Sequence, residues 1–186
     1  MIMKKLLQII TTAFVLIFCV TGVAQASNDQ NEQEQIEKEA KKAAEEKRDS
    51  LTFLLVQRAV ESRQFAILAD RVRDQYGRTV NVNSSTNFVL LQGDDATIQL
   101  AFENGRLGFN GLGGITLEGK ASNVKVDYDK KGNLRFSMMV MGAAISANVT
   151  FSIPKGSNNC DATVSATMNS TRVTFSGKLS PYKMDQ

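Results

Sequence analysis

From Phe65 to Leu179, apolar and polar side chains change places at almost every step along the chain. Ala96, Ile98, Leu100 and Phe102 alternate with Thr97, Gln99, Ala101 and Glu103, and Ile145, Ala147, Val149, Phe151 and Ile153 alternate with Ser146, Asn148, Thr150 and Ser152. Ala162, Val164, Ala166 and Met168 stand across the pleat from Thr163, Ser165 and Thr167, and Val173, Phe175, Gly177 and Leu179 close the series. Successive side chains of a strand point to opposite faces, so a period of two marks strands with one buried face. Phe88 and Leu90 alternate with Val89 and Leu91, a strand apolar on both faces.

Turn chemistry keeps the connections short. Asp74-Gln75-Tyr76-Gly77, Gln92-Gly93-Asp94-Asp95, Glu103-Asn104-Gly105, Asp129-Lys130-Lys131-Gly132-Asn133 and Pro154-Lys155-Gly156-Ser157-Asn158 punctuate the strands. Between residues 115 and 128 the phase slips, since Ile115 and Leu117 are odd while Val124, Val126 and Tyr128 are even. One inserted residue near Ala121–Asn123 has this effect, which predicts a β-bulge there. The reading is a mainly β fold, an antiparallel meander of about eight strands forming a small barrel or a two-sheet sandwich. An N-terminal helix precedes it. The outward positions carry Ser, Thr, Asn, Lys and Arg, without aromatic girdles or tryptophan, which argues against a membrane barrel.

The N-terminal quarter has a different character. Lys4 and Lys5 lead an apolar stretch from Leu6 to Val20, and Ala24-Gln25-Ala26 offers a small-x-small cleavage site. Residues 1–26 therefore read as a signal peptide cut before Ser27, directing the chain to the periplasm or out of the cell. Cys19 follows Ile17 and Phe18 rather than small residues, so lipid anchoring is the weaker reading. The apolar stretch is short for a retained anchor, and no transmembrane segment is expected in the mature chain. Residues 27–49, rich in Glu, Lys, Gln and Ala, form a charged helical or disordered spacer, with Glu34–Lys38 and Glu37–Lys41 in favourable order. Residues 50–186 form the helix-plus-β domain. In its helix, about 50–63, Leu51, Leu54, Leu55, Arg58, Ala59 and Ser62 fall at helical spacing, with Phe53, Val56 and Val60 widening the apolar face.

Charge and composition exclude several function classes. The whole chain carries 22 basic and 19 acidic residues, too balanced for a nucleic-acid partner. It has no histidine, so zinc chemistry and a serine or cysteine nucleophile activated by imidazole are not expected. After cleavage Cys160 is the one thiol left, and it reads as half-buried and inert. Asp127-Tyr128-Asp129-Lys130-Lys131-Gly132-Asn133 imitates a calcium loop, but Lys131 and Met138 occupy ligand positions, so it reads as a hairpin turn. Asp94, Asp95 and Glu118 are the remaining carboxylates for a hydrolase, and two of them sit in a turn. Asp49-Ser50-Leu51 resembles a short bacterial O-glycosylation site and also reads as a helix cap. No metal or cofactor is implied, and the protein is not expected to be an enzyme.

Several stretches resemble a family of exported bacterial proteins described only as a domain of unknown function, DUF4251. The matching residues are Arg78-Thr79-Val80, Asn81-Val82-Asn83-Ser84-Ser85-Thr86-Asn87-Phe88, Asn110-Gly111-Leu112-Gly113-Gly114-Ile115-Thr116, Glu118-Gly119, Asp129-Lys130-Lys131-Gly132-Asn133 and Phe175-Ser176-Gly177. The resemblance covers roughly Phe65 to Pro181. It implies a secreted or periplasmic protein of Gram-negative bacteria with a helix before a β domain, and supplies neither activity nor ligand.

Two partner classes remain: a small hydrophobic ligand and an envelope protein. Gly105, Gly108, Gly111, Gly113 and Gly114 lie in a segment that ends in a strand, unlike a phosphate loop, and read as a long bend or a flap. Leu107, Phe109 and Leu112 would be the flap's apolar contacts. Met138, Met139, Met141 and Met168, with Leu134, Phe136, Phe151 and Phe175, are the candidate interior, either core filling or the wall of a ligand cavity. The expected ligand contacts are therefore Leu107, Phe109, Leu112, Phe136, Met138, Phe151 and Phe175, in a periplasmic binding module for a hydrophobic or amphipathic small ligand. The alternative is an envelope-structural or interaction domain.

Overall fold

The computed structural model describes residues 33–101, 114–167 and 171–182. The chain divides into two compact units, Met1–Lys47 and Arg48–Gln186. In the first, residues 33–47 are helical and exposed throughout, with Lys38 paired to Glu34 at 3.1 Å and Lys41 to Glu37 at 2.7 Å. Such exposed pairs contribute only about 0.3–0.5 kcal/mol each. The second unit opens with helical residues 48–61, here α1, followed by strands β1 (Gln64–Asp74), β2 (Thr79–Asn81), β3 (Phe88–Gln92), β4 (Asp95–Ala101), β5 (Gly114–Tyr128), β6 (Leu134–Gly142), β7 (Ser146–Ile153), β8 (Asn159–Ala166) and β9 (Arg172–Pro181).

Eight of these strands close an antiparallel barrel in the order β1-β3-β4-β5-β6-β7-β8-β9, with β9 returning to β1, and β2 is an extra strand on the second half of β1. The two-sheet alternative is thereby set aside. Strand β1 makes closure possible because it has three partners: Gln64–Leu68 pair with β3, Arg71–Arg73 with β2, and nearly its whole length with β9. To serve all three it must bend. A bulge at Asp70 interrupts the β1–β9 register, and the Asp70 carbonyl accepts the Val82 N–H at 2.9 Å instead. Opposite the bend the two backbones approach so closely that a Cβ on Gly177 would collide with the Leu68 carbonyl oxygen.

The second bulge falls where the phase slip predicts, at the C-terminal edge of the expected stretch. Asn123 and Val124 of β5 together face Met138 of β6, and Asn123 takes φ 51°. The extra residue exchanges odd for even, so that Leu117 and Ala121 before it and Val124 and Val126 after it all turn toward the core.

The inward residues form one core. Phe65, Phe136 and Phe151 are its aromatic centre, with Phe65 edge-on to the other two at 5.4 and 5.6 Å and Phe136 stacked on Phe151 at 4.7 Å. Helix α1 adds Phe53, Val56, Ala59 and Val60. This corrects the expected helix face: Leu51, Leu54 and Leu55 stay 62, 59 and 55% exposed. Once Phe53, Val56 and Val60 dock at spacings of three and four, helical geometry turns the leucines away. Parity also divides the methionines. Met138 is buried, whereas Met139 and Met141 face outward and Met168 lies outside the described residues. Replacing Gly177 by Ala should therefore destabilise the fold by about 1–3 kcal/mol, measured by chemical denaturation, because neither backbone wall can recede.

Candidate functional site

The two ends of the barrel are built from different side chains. Helix α1 lies at the end formed by the β3–β4, β5–β6 and β7–β8 turns. There Asp49 reaches Gly156, the Tyr128 hydroxyl meets Glu61 at 3.4 Å, and the Gly93 N–H donates to the Arg63 carbonyl at 2.7 Å. Inward positions toward this end include the bulky Phe65, Leu91, Leu134, Ile153 and Leu179, all fully buried, beside the smaller Ala96, Cys160 and Ala162. At the opposite end the inward positions include Ala147 and Ala166. The consequence is a cavity of about 250 Å³ lined by Ile98, Leu100, Ile115, Leu117, Ile145, Ala147, Val164, Ala166, Thr171, Val173 and Phe175.

Among the described residues that line this cavity, every side chain is a hydrocarbon apart from the Thr171 hydroxyl. Phe175, which is buried, lies deepest along β9, while Ile115 and Ile145 are partly exposed and form the rim. Gly142, beside the rim, is in a tight corner where a Cβ would strike Leu117 and lie 2.8 Å from the Glu118 carbonyl oxygen. Among the described lining residues none carries a charged or metal-ligating group. What the pocket offers is a dry surface for an apolar group.

Of the residues expected from sequence, Phe175 lines this pocket. Phe136 and Phe151 belong to the packed aromatic centre, and Met138 is buried in the same core. Leu107, Phe109 and Leu112 lie outside the described residues. Sequence reasoning missed Ile98, Leu100, Ile115, Leu117, Ile145, Ala147, Val164, Ala166, Thr171 and Val173. The available signal was parity, since Ile98, Leu100, Ala147, Val164, Ala166 and Val173 share the inward phase of their strands.

The other candidate groups have structural partners. Asp74 and Asp129 build the same turn twice. The Oδ1 of Asp74 accepts the Tyr76 and Arg78 amides, each at 2.9 Å, while its Oδ2 holds the Arg78 guanidinium at 2.6 Å. The Oδ1 of Asp129 accepts the Lys131 and Asn133 amides at 2.8 and 3.0 Å, and its Oδ2 accepts the Asn133 side chain at 2.9 Å. The calcium-like loop is thus a hairpin stapled by its own aspartate. Asn87, also buried, donates to the Asn83 carbonyl and accepts the Ala101 amide at 2.8 Å, so the asparagine-rich motif ties the β2–β3 connection to β4. Asp94 pairs with Arg63 and Asp95 with Lys120, each at 2.6 Å and exposed. Cys160 points into the core, more buried than its turn-side position suggested, and burial pushes its thiol well above the ordinary range. Two depressions on the outer face, of about 380 and 470 Å³, are edged largely by polar side chains, and in both Asp161 takes part, accepting from Ser176 at 2.6 Å.

The model of a domain of unknown function, DUF4251, matches residues 47–179. The chain belongs to the DUF4251 family. A crystal structure of a DUF4251 family protein from Bacteroides eggerthii is 35% identical, covers 73% of this chain and 91% of that one, and has a TM-score of 0.65. No curated protein matches the chain. Family membership therefore carries the barrel and no activity. Among the described residues no helix is long and apolar enough to cross a membrane.

The Asp74 and Asp129 turns give the fold an acid limit. Burial alone would raise the Asp74 carboxyl, but the hydrogen bonds from Arg78 and the Tyr76 amide outweigh it and hold it below the usual carboxylate range. Hydrogen bonds from the Asn133 backbone and side chain and the Lys131 amide lower Asp129 likewise. Their stabilisation is complete above the unfolded carboxylate value, near ~4, and is lost as pH falls through the lower folded values. Thermal unfolding followed from pH 7 to 2 should show a steep loss below about pH 4, and D74N with D129N should lower the midpoint at pH 7 and flatten that loss.

Proposed function

We propose that this protein is an exported, non-catalytic binding module that holds a hydrophobic or amphipathic small ligand in the open end of its barrel. The observation that carries the reading is the asymmetry of the interior: one end filled by aromatic rings and a helix, the other left as a pocket of about 250 Å³ with a hydrocarbon wall. Eight-stranded barrels have a bore that side chains just fill, or that holds one small ligand when they stop short. Export is supported by the basic head, apolar stretch and Ala-x-Ala site of residues 1–26. N-terminal sequencing of protein recovered from the periplasm or medium should then begin at Ser27.

An apolar fluorescent probe such as N-phenyl-1-naphthylamine tests the pocket. Saturable binding at one site per chain is expected, unchanged between pH 5 and 9, since no titratable side chain lines the cavity among the described residues. An A166F variant fills the rim from a half-buried position and should abolish binding with little change in unfolding temperature. Probe binding that persists undiminished in A166F would place the site elsewhere.

A second reading, an envelope-interaction domain, is favoured by Leu51, Leu54 and Leu55, which form an exposed apolar stripe on α1. Under that reading a charged variant of the stripe, L54E with L55E, loses a cross-linked partner that the parent chain retains.

A further inference from the structure

The geometry points to a narrower ligand for this pocket, which rests on the binding-module reading above. The pocket takes the tail of one unbranched acyl chain, methyl end first, and leaves an ionised carboxylate at the rim beside Arg172.

Polarity sets the direction of entry. From the floor at Phe175 to the rim at Ile115 and Ile145 the wall formed by the described residues is hydrocarbon, with Thr171 as the exception at the outer edge. A carboxylate driven inward would give up its water and find no donor, whereas a methyl terminus loses nothing. The head must stay outside.

Size sets the width and length. Strand β9 walls the cavity from Thr171 to Phe175, about 13 Å of strand and, at an ordinary barrel tilt, about 10 Å of depth. A volume of about 250 Å³ over that depth leaves a bore of roughly 25 Å², the width of one polymethylene chain. A methylene is close to a water molecule in size, at ~30 Å³, so about eight carbons fill it. A steroid nucleus is too wide.

Charge sets the head. Arg172 is exposed on the outer face of β9, between Thr171 and Val173, which both line the pocket. It makes no ion pair among the described residues. Asp74, across the β1–β9 ladder from Val173, is already paired with Arg78, and Glu118, outward-facing beside Leu117, stands on the β4–β5 side, so among the described residues an anion on the β9 side of the mouth meets Arg172.

Displacement of N-phenyl-1-naphthylamine from the mature full chain by hexanoate, octanoate, decanoate and tetradecanoate, below their micellar concentrations, tests the assignment. Affinity should rise about fourfold per added methylene up to octanoate or decanoate and then level off. Decanol should bind about fivefold more weakly than decanoate, and R172A should erase that gap while leaving decanol binding unchanged. A length dependence that is flat, or that continues unbroken to tetradecanoate, overturns the proposal, as does equal displacement by a steroid. A gap between decanoate and decanol that survives in R172A overturns the position of the head. Saturable probe binding that no carboxylate displaces removes the acyl-chain assignment and leaves the binding module standing. A chain that binds neither probe nor carboxylate removes both.

Discussion

Closure of β9 onto β1 is the contact on which every other feature depends. An open eight-stranded meander has two unpaired edges and a core face that must find a second layer. Pairing β1 with β9 removes both edges and turns that face into an interior. Two local devices permit it: the Asp70 bulge, which bends β1 between its partners, and Gly177, which lets β9 come within backbone contact of Leu68 and Ala69. With a side chain at 177 the strands must separate at the point where the circuit closes. The inward residues of all eight strands would then lose the geometry that packs them.

Given closure, what distinguishes the two ends is the aromatic cluster and the helix that fill one of them. Near α1 the interior is Phe65, Phe136 and Phe151 in mutual ring contact, with Phe53, Val56 and Val60 arriving from the helix. A barrel with a helix across one end and rings at its centre is held together there, so the far end is free to be incompletely filled. Ala147 and Ala166 use that freedom. Larger side chains at these positions would bury more apolar area, and leaving it unburied sacrifices stability in the manner common at ligand sites.

The period of two made the strands legible, together with the bulge in β5, because parity is a purely local property of a pleated chain. The helix face was less legible. Leu51, Leu54 and Leu55 are as apolar as Phe53, Val56 and Val60, and the sequence alone does not say which stripe meets the barrel. The methionines misled in a related way: chemistry suggested that Met138, Met139 and Met141 act together, but parity sends neighbours to opposite faces, and parity decides. The pocket was legible in part. Phe175 was named for its size and lies on the pocket floor, yet most of the wall is made by aliphatic side chains of β4, β5, β7 and β8. Large side chains draw attention in a sequence, whereas a wall shared among several strands does not.

That inversion bears on how recognition and stability are divided in this fold. The polar groups that are committed to structure, Asp74, Asp129 and Asn87, are each occupied by the amides and side chains of their own turns or of the neighbouring strand. They fix loop geometry and have no capacity left for a ligand. Among the described residues the pocket wall holds no titratable group, so a ligand bound there as proposed would be discriminated by length and girth rather than by hydrogen-bond pattern. Hydrocarbon contact rewards each added methylene alike until the bore is full. Under the proposed binding reading, selectivity would come from the depth at which Phe175 closes the pocket and from the charge at its mouth. A ligand held that way would bury an apolar tail of limited length and leave its polar end in water.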